Sequence, residues 1–245
     1  MYIDSHTHLD FFNENIDKAI EDINKNKILT IANSMDIKSY IKNKEYSKRS
    51  KYIIPVFGIH PWKAHEFNGQ LKDLIPYIEE SKLIGEIGLD FFWVEDTSTY
   101  KKQREVFNFI LSESIKRNKV VTIHTKGAEE KICEELSKSN YDKVLIHWYS
   151  GSLETLEKLI NLGCYFTISV DIGYSDLVTK ILNLIPLDKL LVETDGPTAL
   201  EWVNGEKAYP SYIKEVVKKI GEIKMINEDE LRRIINNNYC NLIGN

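Results

Sequence analysis

Six histidines occur among 245 residues, and their placement is selective. His6, His60, His124 and His147 each stand at or just past the end of a short apolar run, and His8 shares the string Asp4-Ser5-His6-Thr7-His8. Side chains of an extended segment alternate faces, so His6 and His8 point the same way and can grip one ion. Neutral imidazoles suit zinc, manganese and similar metals. Two ordinary polar residues after a strand are the plain alternative, because HxH is a short match. Glu86 lies inside the apolar run Ile84-Gly85-Glu86-Ile87-Gly88-Leu89. An unpaired buried carboxylate is costly, so Glu86 needs a cation. One carboxylate bridging two metals would satisfy it, and so would a Lys or Arg inside the fold. His124 closes the run Val120-Val121-Thr122-Ile123, and His147 closes Val144-Leu145-Ile146. A lone histidine at such a place is commonly a hydrogen-bonded structural group; two in successive runs are harder to dismiss. Asp195, in Glu193-Thr194-Asp195-Gly196-Pro197, can bind a metal and take a proton from activated water.

These residues need elements that bring them together. The predicted strands are Tyr2–Ser5, Ile28–Ala32, Ile53–Gly58, Leu83–Gly88, Val120–His124, Val144–His147, Tyr165–Val170 and Leu190–Glu193. Helical spacing separates them at Glu14–Asn26, Gln70–Ser81, Tyr100–Arg117, Glu129–Lys138, Leu153–Leu162, Asp176–Leu184 and Ser211–Ile223. A further helix is expected over Glu228–Leu242, capped by Asn227 with Glu230 at the capping-box position. Strands alternating with helices imply βαβ units and a parallel sheet. About eight of them, in a chain of about 250 residues, predict an α/β fold of the closed (β/α)8 TIM barrel type. An open doubly wound sheet is the alternative, weakened because neither GxGxxG nor GxxxxGK[ST] follows the first strand. One barrel domain over residues 1–245 is expected.

Barrel active sites lie at the C-terminal ends of the strands, so His6, His8, Glu86, His124, His147 and Asp195 converge on one mouth. Together they supply ligands for two divalent metal ions, with Mg2+, Mn2+ and Zn2+ all admitted. No cysteine belongs to the set, which disfavours a structural zinc. Two metals that lower the pKa of a shared water and clamp the attacked group make a hydrolase.

The formal net charge of −5 argues against binding nucleic acid through bulk basicity, although cations in a site would reverse the local field. Cys133, Cys164 and Cys240 form no CxxC pair, and unpaired thiols fit a reducing cytoplasm. No apolar stretch approaches the ~18 residues a membrane helix needs, and no signal segment is expected ahead of Asp4. A cytoplasmic monomer is the expectation, there being no interface signature.

The strings YIDSHTHLD, FGIHPW, LIGEIGLDFF, QREVF, VVTIHT, LIHWYSG and LLVETDGP, followed by Asn238-Tyr239-Cys240-Asn241-Leu242, resemble the TatD family of metal-dependent deoxyribonucleases. The similarity runs in order along nearly the whole chain. Each motif is short, but the ordered set is specific. The resemblance implies a TIM barrel of the amidohydrolase type. It implies one ion on His6, His8, Glu86 and Asp195 and another on Glu86, His124 and His147. It implies His60 as a contact of the scissile phosphate; a residue fixing the turn before Pro61 is the alternative. The family's Arg two residues after the fifth-strand histidine is replaced by Lys126, which meets phosphate only as a point charge. The segment Leu200–Tyr209, with Glu201, Trp202 and Tyr209, departs from the family pattern and is expected to overhang the mouth. Phe91, Phe92, Trp93, Trp148 and Tyr149 follow ligand-bearing strands and could stack on bases or serve loop packing.

Three functions follow. The leading one is hydrolysis of single-stranded DNA from an end, the 3′ end, with Asp195 as general base, Glu86 bridging, and His60, Lys126 and Trp148 on the substrate. A second keeps the site for an ester or amide, such as an aminoacyl-tRNA ester. A third is a binding barrel with a vestigial site.

Overall fold

The computed structural model describes residues 1–244. Among these residues eight strands form: β1 (Tyr2–Thr7), β2 (Ile28–Ala32), β3 (Ile53–Pro55), β4 (Ile84–Gly88), β5 (Val121–His124), β6 (Val144–Ile146), β7 (Tyr165–Ile168) and β8 (Leu190–Val192). All pairings are parallel, with β1-β2-β3 in one section and β4-β5-β6-β7-β8 in the other. Two seams join the sections into a barrel. At the first, Phe57 bridges to Ile84, and the Gly85 N–H donates to the Phe57 carbonyl at 2.8 Å. At the second, the Asp195 N–H donates to the His6 carbonyl at 2.9 Å, and the His8 N–H to the Gly196 carbonyl at 3.0 Å. The closed (β/α)8 barrel expected from strand rhythm is the fold observed.

Strand β3 is shorter than the apolar run Ile53–Gly58. Beyond Pro55 the Val56 N–H still donates to the Ala32 carbonyl of β2 at 3.0 Å, and Phe57 then bridges to Ile84 of β4 on the other side. The helices wrap the strands with their apolar faces inward. Tyr100–Lys116, for example, buries Val106, Phe107, Ile110 and Leu111. The C-terminal helix Glu228–Ile243 is tied down by Asn238, whose amide donates to the Leu187 and Leu190 carbonyls at 2.8 Å each. Asn227 caps that helix by accepting from the Asp229 N–H; the expected box with Glu230 does not form.

Three helices fall where none is predicted. Ile37–Ser47 buries Ser39, Tyr40 and Asn43, so its inward face carries polar atoms and gives no clean apolar stripe. Asp36 caps it, accepting from the Ser39 N–H at 2.7 Å. Pro61–Ala64 and Ala199–Asn204 are too short for periodicity to reveal. The predicted Glu14–Asn26 helix starts only at Ile16, because Leu9–Asn15 forms 3-10 turns around Asn13. Gln70–Ser81 divides into a 3-10 turn, Leu71–Leu74, and an α-helix, Ile75–Glu80.

Candidate metal centre

All six predicted ligands and His60 meet at one end of the barrel, and Glu86 is the hub. Its Oε2 lies 3.3 Å from His6 Nε2 and 3.2 Å from His8 Nε2. Its Oε1 lies 2.9 Å from His124 Nδ1, 2.8 Å from His147 Nε2 and 3.3 Å from His60 Nε2. Asp195 Oδ1 completes the first group, 3.6 Å from His6 Nε2 and 3.5 Å from His8 Nε2. One carboxylate thus faces a separate nitrogen set with each oxygen.

Local backbone features allow this approach. Gly58 lies so close to the Glu86 backbone that a Cβ would collide with it, which lets the turn before His60 nest against β4. Gly88, at φ 152°, passes directly beside the His124 carbonyl, where any side chain would clash. Asp195 itself adopts φ 43°, a conformation L-residues avoid and one that recurs at functional sites. It is held there by its neighbours. Thr194 donates its N–H and its hydroxyl to the buried Asp4 carboxylate, at 2.9 and 2.6 Å, and Thr7 donates its hydroxyl to the Gly196 carbonyl at 3.1 Å.

The donor set fits divalent cations. Glu86 Oε2 is buried and has no hydrogen-bond donor, although it faces the imidazole nitrogens of His6 and His8. Ligands about 2.1 Å from one ion at tetrahedral angles lie about 3.4 Å from each other. The spacings of 3.2–3.6 Å between His6 and His8, and from each of these to Glu86 and Asp195, match that figure. The opposite nitrogens of two histidines are engaged by carboxylates. His124 Nε2 lies 2.9 Å from Asp90 Oδ2, and His147 Nδ1 lies 3.4 Å from Glu193 Oε1. Such pairing orients an imidazole and raises its basicity as a ligand. Sequence reasoning gave Asp90 and Glu193 no part; their positions just past β4 and β8 were the available signal.

His60 differs from the others. Its Nδ1 accepts from the Trp62 N–H at 3.1 Å, so the neutral ring carries its proton on Nε2, the atom facing Glu86 and the cavity. That tautomer presents a donor rather than a lone pair. Burial also pushes the His60 pKa down to about 4, keeping the ring neutral.

Among the protein groups alone, the electrostatics centre on Glu86. Burial would raise its pKa, but His60, His147 and His6 outweigh this and hold the carboxyl well below its ordinary range. Burial likewise opposes charge on His8, His124 and His147, yet their carboxylate neighbours prevail. His8 rises to about 9, His124 rises, and His147 rises well above the usual histidine value. His6 shifts down, through burial and then the charge of His147.

The cluster floors a cavity of about 310 Å3 whose walls include Trp62, Trp93, Lys126, Trp148, Asp171 and Trp202. Lys126 Nζ donates to Ser150 Oγ at 2.6 Å. Of the aromatics read as possible base partners, Phe91 and Tyr149 are packing residues. Phe91 stacks on Tyr100 at 4.2 Å, and Tyr149 is buried with its hydroxyl donating to the Ser152 carbonyl. In Leu200–Tyr209 only the helical part overhangs the mouth; Tyr209 turns away and packs near Phe12.

The profile of the family described as TatD related DNase matches residues 3–244. A metal-dependent hydrolase of Methanocaldococcus jannaschii is 28% identical over 245 residues, covering 98% of this chain and 95% of its own. The metal-dependent hydrolase YabD of Bacillus subtilis is 26% identical over 250 residues, covering 97% of each chain. The fold matches the crystal structure of YjjV, a TatD homolog from Escherichia coli, with TM-score 0.89 at 21% identity over 100% of this chain and 98% of that one. A dihydroorotase from Campylobacter jejuni matches with TM-score 0.64 at 12% identity, covering 100% of this chain and 83% of that one, so the wider barrel type is shared. Matched to that family's profile from the first strand to the last helix, the chain belongs to the TatD related DNase family and is a metal-dependent hydrolase.

Proposed function

We propose that this chain hydrolyses phosphodiester bonds of single-stranded DNA, removing nucleotides from the 3′ end. The observation that carries the reading is the division of Glu86: one oxygen faces His6 and His8 beside Asp195, the other faces His124 and His147. His6, His8, Glu86 and Asp195 would hold one divalent ion, and Glu86, His124 and His147 a second. The pair of ions would lower the pKa of water and offset charge on the attacked phosphate. Asp195 is the general base, placed at the rim of the cluster where its carboxylate can take a proton from the attacking water. His60 donates from Nε2 to a phosphate oxygen, and the hydrogen bond from Trp62 fixes that tautomer. Lys126 adds a point charge at the wall. The family description as a DNase supports a nucleic-acid substrate.

The test is a time course on end-labelled single-stranded DNA with Mg2+ or Mn2+, beside Asp195→Asn. Stepwise shortening from the 3′ end, lost in the variant, is the expected result. Intact DNA incubated with protein that demonstrably binds metal would sink the nuclease reading and move the chemistry to another ester or an amide.

A further inference from the structure

The cavity has a feature that the hydrolytic cluster does not use. Trp93 and Trp202 are 57% and 60% exposed, although indoles normally bury most of their surface. They are not scattered. Trp202 lies nearly parallel to Trp148, with ring centroids 6.1 Å apart and planes 15° apart, and Trp93 leans on Trp202 at 6.3 Å and 33°. The three side chains come from segments following β4, β6 and β8, so the barrel assembles the row from distant sequence. Trp148 is firmly set: its N–H donates to Thr167 Oγ1 at 3.0 Å and its indole Nε1 to Asp171 Oδ2 at 2.8 Å. Trp93 and Trp202, with Trp62 and Val94, also line an adjoining groove of about 490 Å3, so the row is approachable from both sides.

Two further facts indicate what this row receives. Lys126 is the one Lys or Arg lining the cavity among the described residues, and its Nζ lies 5.9 Å from the Phe92 ring centroid. Aromatic faces beside a cation, next to a centre that attacks a phosphodiester, are what a single strand with splayed bases requires. The only hydrogen-bond donor of the Trp148 ring is taken by Asp171, so Trp148 offers π-faces and no base-reading group.

We infer that Trp148, Trp202 and Trp93 form a stacking subsite for the unpaired base of the nucleotide carrying the scissile phosphate, with Asp171 as the residue that positions Trp148. This rests on the phosphodiesterase reading for its substrate. Recognition is through the flat face of a base, whichever base it is. A base in a duplex must first be unpaired and unstacked, at a cost of about a few kcal/mol, and an abasic nucleotide has nothing to present.

The test compares affinities of the metal-loaded protein for thymidine 5′-monophosphate and 2-deoxyribose 5-phosphate by calorimetry. The mononucleotide is expected to bind roughly five- to a hundredfold tighter. Trp202→Ala should erase most of that difference, and Trp202→Phe should restore most of it. Asp171→Leu should reduce it while Asp171→Asn, which keeps an acceptor for the indole, should not. Melting curves establish that each variant is folded. Equal binding of the two probes, or a Trp202→Ala protein that still distinguishes them as wild type does, overturns the subsite. Base-dependent binding by a protein that leaves DNA intact would remove the nuclease reading and keep the subsite. DNA cleavage with equal probe affinities would do the reverse.

Discussion

The carboxylate of Asp4 accepts both the N–H and the hydroxyl of Thr194, so the first strand holds the residue immediately before Asp195. Removing it should therefore cost more than a surface change. Asp4→Ala leaves two buried donors without a partner, each costing about 1–3 kcal/mol in folding stability. It also frees the left-handed turn at Asp195, so turnover should fall by more than the lost stability explains. Urea unfolding beside steady-state rates checks both, and wild-type kcat in the variant would show that Asp195 holds its position without Asp4.

Glu86→Gln should be the most damaging single change at the centre. It removes the one charge that faces both nitrogen sets, so bound metal measured after gel filtration should drop for both sites together. Loss of one ion with full retention of the other would mean that Glu86 does not bridge.

Metal affinity should rise with pH. In the protein alone His8 holds its proton up to about 9, and His124 and His147 are also shifted upward. A raised value means that the protonated form is favoured below it, and a ligand must give up that proton before it coordinates. Binding is weakest at low pH, then strengthens as pH climbs toward the His8 value. Calorimetric titration with Mn2+ in buffers of different ionisation heat should report proton release; binding enthalpies independent of buffer would count against it.

His60→Ala should lower kcat about a hundred- to a thousandfold, the usual cost of removing a donor to developing charge, with metal content unchanged. His60 is pushed down to about 4, so it is neutral through the working range. The rate profile should consequently show no inflection near pH 6–7 that vanishes in this variant.

Much of the barrel and its centre could be read from the chain because both are written locally. Five of the eight β-runs carry a candidate ligand in them or just past them, so His124 and His147 mark themselves by position, and Glu86 by its misfit with Ile84 and Ile87. What escaped reading depends on contacts across the fold. Asp90 and Glu193 matter through the imidazoles they touch, and nothing near them in sequence names those imidazoles. Trp62 orients His60 through a backbone N–H, which has no residue code at all. The helix Ile37–Ser47 hid because its buried side carries Ser39 and Asn43. Trp202 stood in a segment of unfamiliar pattern, and only folding places it against Trp148.

The seam between β3 and β4 is short: Phe57 bridges to Ile84, the Gly85 N–H donates to the Phe57 carbonyl, and Ser34, just past β2, exchanges backbone hydrogen bonds with Gly85 and Glu86 at 3.2 Å each. The candidate ligands straddle it. His6 and His8 arrive from the three-strand section, while Glu86, His124, His147 and Asp195 arrive from the five-strand section. Any cation shared between these groups is therefore a cross-link between two halves of one ring, and the free energy of its binding is added to the cohesion of the wall. Chelation would then act as a mechanical loosening, felt first as faster amide exchange along Phe57, Gly85 and Glu86, far ahead of global unfolding. The same ions that serve hydrolysis would set how often the barrel opens along this seam.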